Sequence, residues 1–263
     1  MTRMILTGIL GLAAGLSNLG LPSLMAQQAP AKQGQAAPTG PRAKSQGEVQ
    51  ALNALAAAQG NPDNTIKAAE DLLTKYADTE FKEVALFMEA TAYRQKGDPV
   101  KAQIFAEQVL AINPKNFQST LMLGEIIAQM TRENDLDKDE KLAKAEKYLN
   151  DTLENIKTAP KANPQLTDQQ WEDGKKFLTA ETHNGLGLVA LTRKKYDVAI
   201  TEFKTAVDLD AQPAFQVRLA SAYQLAGKND EAIAICDKLL ADPQLHPQIK
   251  SVANSVKAAA SKK

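Results

Sequence analysis

The 263 residues are 44% apolar, 5% aromatic and 24% charged, with 31 Lys and Arg balancing 31 Asp and Glu. That length and apolar content can supply a sizeable core, and a formal charge of zero provides no field to draw the chain onto nucleic acid or an anionic membrane surface. The single cysteine, Cys236, excludes an intramolecular disulfide and a thiolate metal cluster. Unbranched helix formers dominate and aromatics are scarce, which points to an all-α chain.

Taken in order, the chain opens with Arg3 and then an uncharged stretch from Met4 to Ala31 whose segment Ile5 to Leu16 is strongly apolar. Pro22 and the small residue Ala26 follow, placing Leu24-Met25-Ala26 before Gln27. This is the anatomy of a secretory signal over residues 1–26, cut after Ala26. An uncleaved membrane anchor is the alternative, because about 20 apolar residues span a bilayer; Ser17, Asn18, Pro22 and Ser23 interrupt its second half. No cysteine follows the run, so a lipoprotein anchor has no thiol to acylate. The expected location is periplasmic or secreted, or, if the signal is retained, anchored in the inner membrane and facing the periplasm. Residues 27–45, rich in Gln, Ala, Pro and Gly and without apolar periodicity, read as a flexible linker.

One pattern then recurs. A degenerate copy over 47–79 has Leu52 and Leu55, the turn Gly60-Asn61-Pro62-Asp63, and Ile66, Ala69, Leu72-Leu73 and Tyr76. The clearest copy, 83–116, runs Leu86, Ala90, Tyr93, Gly97-Asp98, Ala102, Ala106, Val109-Leu110, Ile112 and Asn113-Pro114. A third, 117–158, has Leu123-Gly124, a turn enlarged by the charged segment Arg132 to Glu140, then Ala145, Leu149 and Leu153. Thr158 to Pro164 breaks the period, and Thr167-Asp168-Gln169-Gln170 is a capping-box pattern whose helix, carrying Trp171 and Phe177, runs into the next copy. That copy, 180–212, has Leu186-Gly187, Tyr196, Ala199-Ile200, Phe203 and Ala206-Val207. The last, 213–245, has Leu219-Ala220, Tyr223, Gly227, Ala232-Ile233, Leu239-Leu240 and Asp242-Pro243. His246-Pro247 then restarts a helix, 247–260, suited to cap the open end of a stack.

These residues resemble the tetratricopeptide repeat, whose period is about 34; Ala199 and Ala232 are 33 residues apart. The resemblance implies an all-α fold, a right-handed α-solenoid (superhelix) of antiparallel helix pairs with about five repeats over 46–260. The physics of the pattern agrees. Glycine in mid-helix costs about 1 kcal/mol relative to alanine, so the small residues Ala90, Gly124, Gly187 and Ala220 need a packing gain to offset them. Close approach of the second helix of each pair, through Ala102, Ala145, Ala199 and Ala232, supplies it. Asn-Pro and Asp-Pro end helices because proline disfavours helical geometry in the preceding residue.

No catalytic, metal or cofactor constellation emerges. His183 and His246 have no cysteine or carboxylate at metal-ligand spacing, Cys236 takes the second-helix position of Ala106 and Phe203 and reads as a small buried hydrophobe, and Gly185-Leu186-Gly187 lacks the context of a phosphate loop. Trp171 reads as core. The resemblance therefore implies a non-enzymatic scaffold whose inner groove takes a protein or peptide segment. Its family positions fall here on Val84, Phe87, Thr91 and Arg94; on Gln118, Leu121 and Glu125; on Glu181, Asn184 and Leu188; and on Val217, Ser221 and Gln224. Chaperone-binding members clamp a terminal carboxylate with lysine and asparagine; only Asn184 fits, and Leu188 stands where a second asparagine is needed, so that ligand is not expected. The segment Tyr76 to Phe81 resembles the repeat junctions of bacterial envelope-assembly factors. The alternatives are a self-associating structural subunit of an envelope complex and an enzyme-accessory factor; the sequence leaves the partner and the oligomeric state open.

Overall fold

The computed structural model describes residues 40–161 and 165–262; the expected signal and the linker residues 27–39 lie outside them. Eleven helices succeed one another among the described residues, with no strand: α1 (Gln46–Ala57), α2 (Pro62–Lys75), α3 (Lys82–Gln95), α4 (Pro99–Ile112), α5 (Phe117–Met130), α6 (Lys138–Thr158), α7 (Asp168–Thr192), α8 (Tyr196–Leu209), α9 (Pro213–Leu225), α10 (Asn229–Leu240) and α11 (Pro247–Ala260). Helices adjacent in sequence pack on one another, α3 on α4, α7 on α8 and α9 on α10, as the repeated helix pairs imply.

Local chemistry sets the helix ends. Pro62, Pro99, Pro213 and Pro247 open their helices, where the missing N–H is not needed. Asn61 and Asp98 accept the N–H groups of Asn64 and Lys101, each at 3.0 Å. Thr167 and Gln170 form the anticipated capping box, and α7 continues from it without a break into the fourth copy. The turns inside the pairs use a left-handed residue at one repeated position: Gly60, Gly97 and Gly227 at φ 90°, 73° and 76°, but Lys194 at φ 59°.

The structure divides into two compact units, with the boundary inside α5. The N-terminal unit comprises residues 40–123 with 159–161 and 165–166. Its core joins Leu52, Leu55, Ala69, Leu72, Phe81, Ala85 and Met88 from α1, α2 and the start of α3. Tyr93 of α3 stacks on Phe105 of α4 with centroids 5.3 Å apart, and the Lys101 ammonium sits 4.9 Å over the tyrosine ring. Glu83 accepts from the amides of both Asn113 and Asn116 at 2.8 Å, so the asparagine before Pro114 ties the end of its repeat back to the start. The junction Tyr76 to Phe81 has a comparable duty: the Thr79 hydroxyl donates to the buried Glu48 at 2.6 Å, the Lys44 N–H donates to the other Glu48 oxygen at 2.6 Å, and the Lys44 ammonium reaches Asp78 at 2.8 Å. Residues 42–45, at the end of the expected linker, are thereby strapped to the turn between α2 and α3.

The C-terminal unit comprises residues 124–158 and 167–262. Its helix pairs close at the small positions. A methyl group on Gly124 would meet Leu149 Cγ at 2.6 Å, and one on Gly187 would meet the Phe203 ring at 2.6 Å. Gly185, whose part the sequence did not reveal, has Leu149 Cδ2 at 2.8 Å from a Cβ added to it, so Leu149 of α6 wedges between two helices and needs a glycine on each. Ala145, Ala199, Ala220 and Ala232 are completely buried. The capping helix α11 packs Ile249, Val252, Ala253 and Val256 over Val217, Ala232, Cys236 and Leu239.

Left-handed geometry costs a residue with a Cβ about 1–2 kcal/mol, whereas the Lys194–Glu133 ion pair at 2.7 Å is largely solvated and contributes little. Lys194→Gly is expected to stabilise the C-terminal unit by about 1 kcal/mol, measured by urea unfolding followed through Trp171, the one tryptophan, which lies buried in α7. Equal or lower stability would contradict the strain at this turn.

Candidate functional site

The positions assigned to an inner groove divide between the units. In the N-terminal unit Val84, Phe87, Thr91 and Arg94 follow one another at spacings of three and four along α3 and share one face of it. All four are half-buried, neither locked in the core nor fully in water. The Thr91 hydroxyl donates to the Phe87 carbonyl at 2.9 Å, which occupies it within its own helix. Gln118, at the start of α5, is half-buried and Leu121 is buried. Phe87 is thus a half-exposed aromatic flanked by a β-branched apolar residue, a hydroxyl residue and an arginine.

In the C-terminal unit the assigned residues are more deeply set. Glu125, Asn184, Leu188, Val217 and Ser221 are buried, while Glu181 and Gln224 are half-buried. The structure joins Asn184 of α7 to α9 through a residue that the consensus mapping omits: Arg218 donates to Asn184 Oδ1 at 2.6 Å. Arg218 is itself buried, 4% exposed. Burial pushes its guanidinium below the usual arginine range, and Glu181 and Glu125 oppose that shift. An arginine keeps its proton even so, so two carboxylates and an amide from α5 and α7 surround a fixed positive charge on α9. Arg218 interrupts the apolar run Val217 to Ala222, the one local sign of it in the sequence.

Among the described residues, the other chemistry-bearing side chains are set in local contacts of their own. His183, read from spacing as lacking a carboxylate neighbour, has one: Glu202 of α8 lies 2.7 Å from its Nδ1, brought there by helix pairing across 19 residues. His246 caps α11, its Nδ1 accepting the Gln248 N–H at 3.3 Å. Burial pushes the Cys236 thiol up to about 11, well above a reactive range, in keeping with a small hydrophobe. Among the described residues no three His, Cys, Asp or Glu side chains are grouped to hold a metal ion, and no helix is long and apolar enough to cross a membrane.

Comparison with known families bears on the repeats that carry these faces. Two tetratricopeptide repeat models match, one over residues 84–116 and the other over 183–247, which are α3–α4 and the helices from within α7 to the start of α11. These segments are tetratricopeptide repeats. Solved structures share the fold of this tetratricopeptide chain. A thermophilic tetratricopeptide protein of Thermus thermophilus is 22% identical with a TM-score of 0.55, the match covering 80% of this chain and 98% of that one. The MamA RS-1 ArsTM double mutant is 14% identical with a TM-score of 0.54, covering 82% and 99%. At such identities the likeness concerns fold alone. No curated protein sequence matches the chain. Tetratricopeptide repeats serve typically as non-catalytic modules that bind protein partners, and the faces of α3, α5, α7 and α9 are where this one presents its family positions.

Proposed function

We propose that the protein is a non-enzymatic scaffold of the bacterial cell envelope that holds an extended or helical segment of a partner protein against the inner faces of its first helices. The observation that carries the reading is the α3 face, where Phe87 is half-buried between Val84, Thr91 and Arg94 in a fold whose members bind proteins. A partly exposed aromatic gives a large contact area for little lost side-chain entropy, and neighbouring polar groups fix register. The envelope location is supported by the N-terminal pattern of Arg3, the apolar run Ile5 to Leu16 and Ala26 before Gln27, and by the resemblance of Tyr76 to Phe81 to envelope-factor junctions.

Replacing Phe87 by a photo-crosslinking aromatic in the mature chain is expected to trap a defined partner from envelope extracts. Phe87→Ala should weaken capture of that same partner about tenfold or more, since truncating an aromatic anchor removes about 2 kcal/mol or more of binding. Equal capture by Phe87→Ala, or equal crosslinking from Gln108, exposed on α4, would contradict the groove.

A second reading, self-association, is favoured by Val100 and Ile104, which stand one helical turn apart on α4 at 57% and 47% exposure. Light scattering across a hundredfold range of concentration separates the two: a constant monomer mass speaks for the scaffold alone, and a mass that doubles with concentration for the structural subunit.

A further inference from the structure

Four of the five copies place a leucine at one equivalent position of the first helix, Leu52, Leu123, Leu186 and Leu219, and the second copy has Glu89 there. Glu89 is as buried as a core leucine, 1% exposed, and its Oε1 has no hydrogen-bond partner. It follows Met88 directly and lies one turn beyond Ala85, both in the core that seats α2 on α3. The charged groups that face it are Glu70 from α2 and Lys101 from α4. A buried carboxylate with an unpartnered oxygen is costly when ionised and acceptable when protonated.

We propose that Glu89 makes the seating of the terminal hairpin α1–α2 on α3 proton-dependent, with the hairpin docked when the carboxyl is protonated and loosened when it ionises. Repeat stacks are held by nearest-neighbour interfaces, and among the described residues α1–α2 is seated through α2 on α3, so a charge placed there acts on that pair before any other. Burial, reinforced by the Glu70 carboxylate and opposed by Lys101, pushes Glu89 from 4.5 up to about 7. The sign follows from linkage. A carboxyl whose folded-state value is raised adds stability that is complete below 4.5 and is lost as pH rises through about 7. Opening of the hairpin releases the side chain to water and restores its ordinary acidity.

Hydrogen exchange of residues 46–75, corrected for intrinsic rates at pH 6 and pH 8, reads this directly in the full chain. The opening equilibrium is expected to rise about tenfold between the two, while residues 213–260 stay unchanged. Glu89→Gln, which keeps the shape without the charge, and Glu89→Leu, which restores the residue of the other copies, should both remove the pH dependence. Protection of residues 46–75 that is independent of pH in the natural chain would overturn the proposal. So would the same tenfold change in either variant, which would assign the effect to another group.

Discussion

The interaction on which the structure depends is the close approach of the two helices of each pair at small residues. Within their pairs Gly124 admits Leu149 and Gly187 admits the Phe203 ring, Gly185 admits Leu149 from the preceding pair, and Ala90, Ala102, Ala145, Ala199, Ala220 and Ala232 are completely buried. A mid-helix glycine is unfavourable by itself, so its place in α5 and α7 makes sense only through the neighbouring helix. Once the pairs are closed, each presents an apolar flank that a single hairpin cannot cover, and stacking follows. The face left over on the first helix is then determined by register, which is why Val84, Phe87, Thr91 and Arg94 share one side of α3.

What could be read from the chain was what repeats or acts locally. Small residues, turn glycines and Asn-Pro or Asp-Pro ends are encoded within a few positions and recur, so the helix pairs and the continuous α7 were legible. What escaped depends on residues distant in sequence. Gly185 matters because Leu149 arrives from α6, and His183 meets Glu202 only because α7 and α8 are antiparallel. Arg218 reaches Asn184 across 34 residues, and Lys44 reaches Asp78 across the same interval. Glu89 had a signal in the sequence, a charge in a leucine column, but its meaning needed the observation that the side chain is buried with an oxygen unsatisfied.

The two units carry different surface chemistry, which bears on binding. The N-terminal unit offers a half-buried aromatic face, the kind that gains from being covered. In the C-terminal unit the equivalent positions include Glu125 and Asn184, drawn into the surroundings of Arg218. Groups satisfied in this way specify a geometry more than they add affinity.

The most direct test of the central claim is the sign of Gly187→Ala in two backgrounds. With Phe203 in place, the added methyl has the ring at 2.6 Å, and unfolding in urea should show a loss of about 1–3 kcal/mol. With Phe203→Ala the space is open, and the same substitution should stabilise α7 by up to about 1 kcal/mol through helix propensity. A stabilising effect in both backgrounds would mean that the glycine is not there to admit the ring, and the account of the pairing would fail.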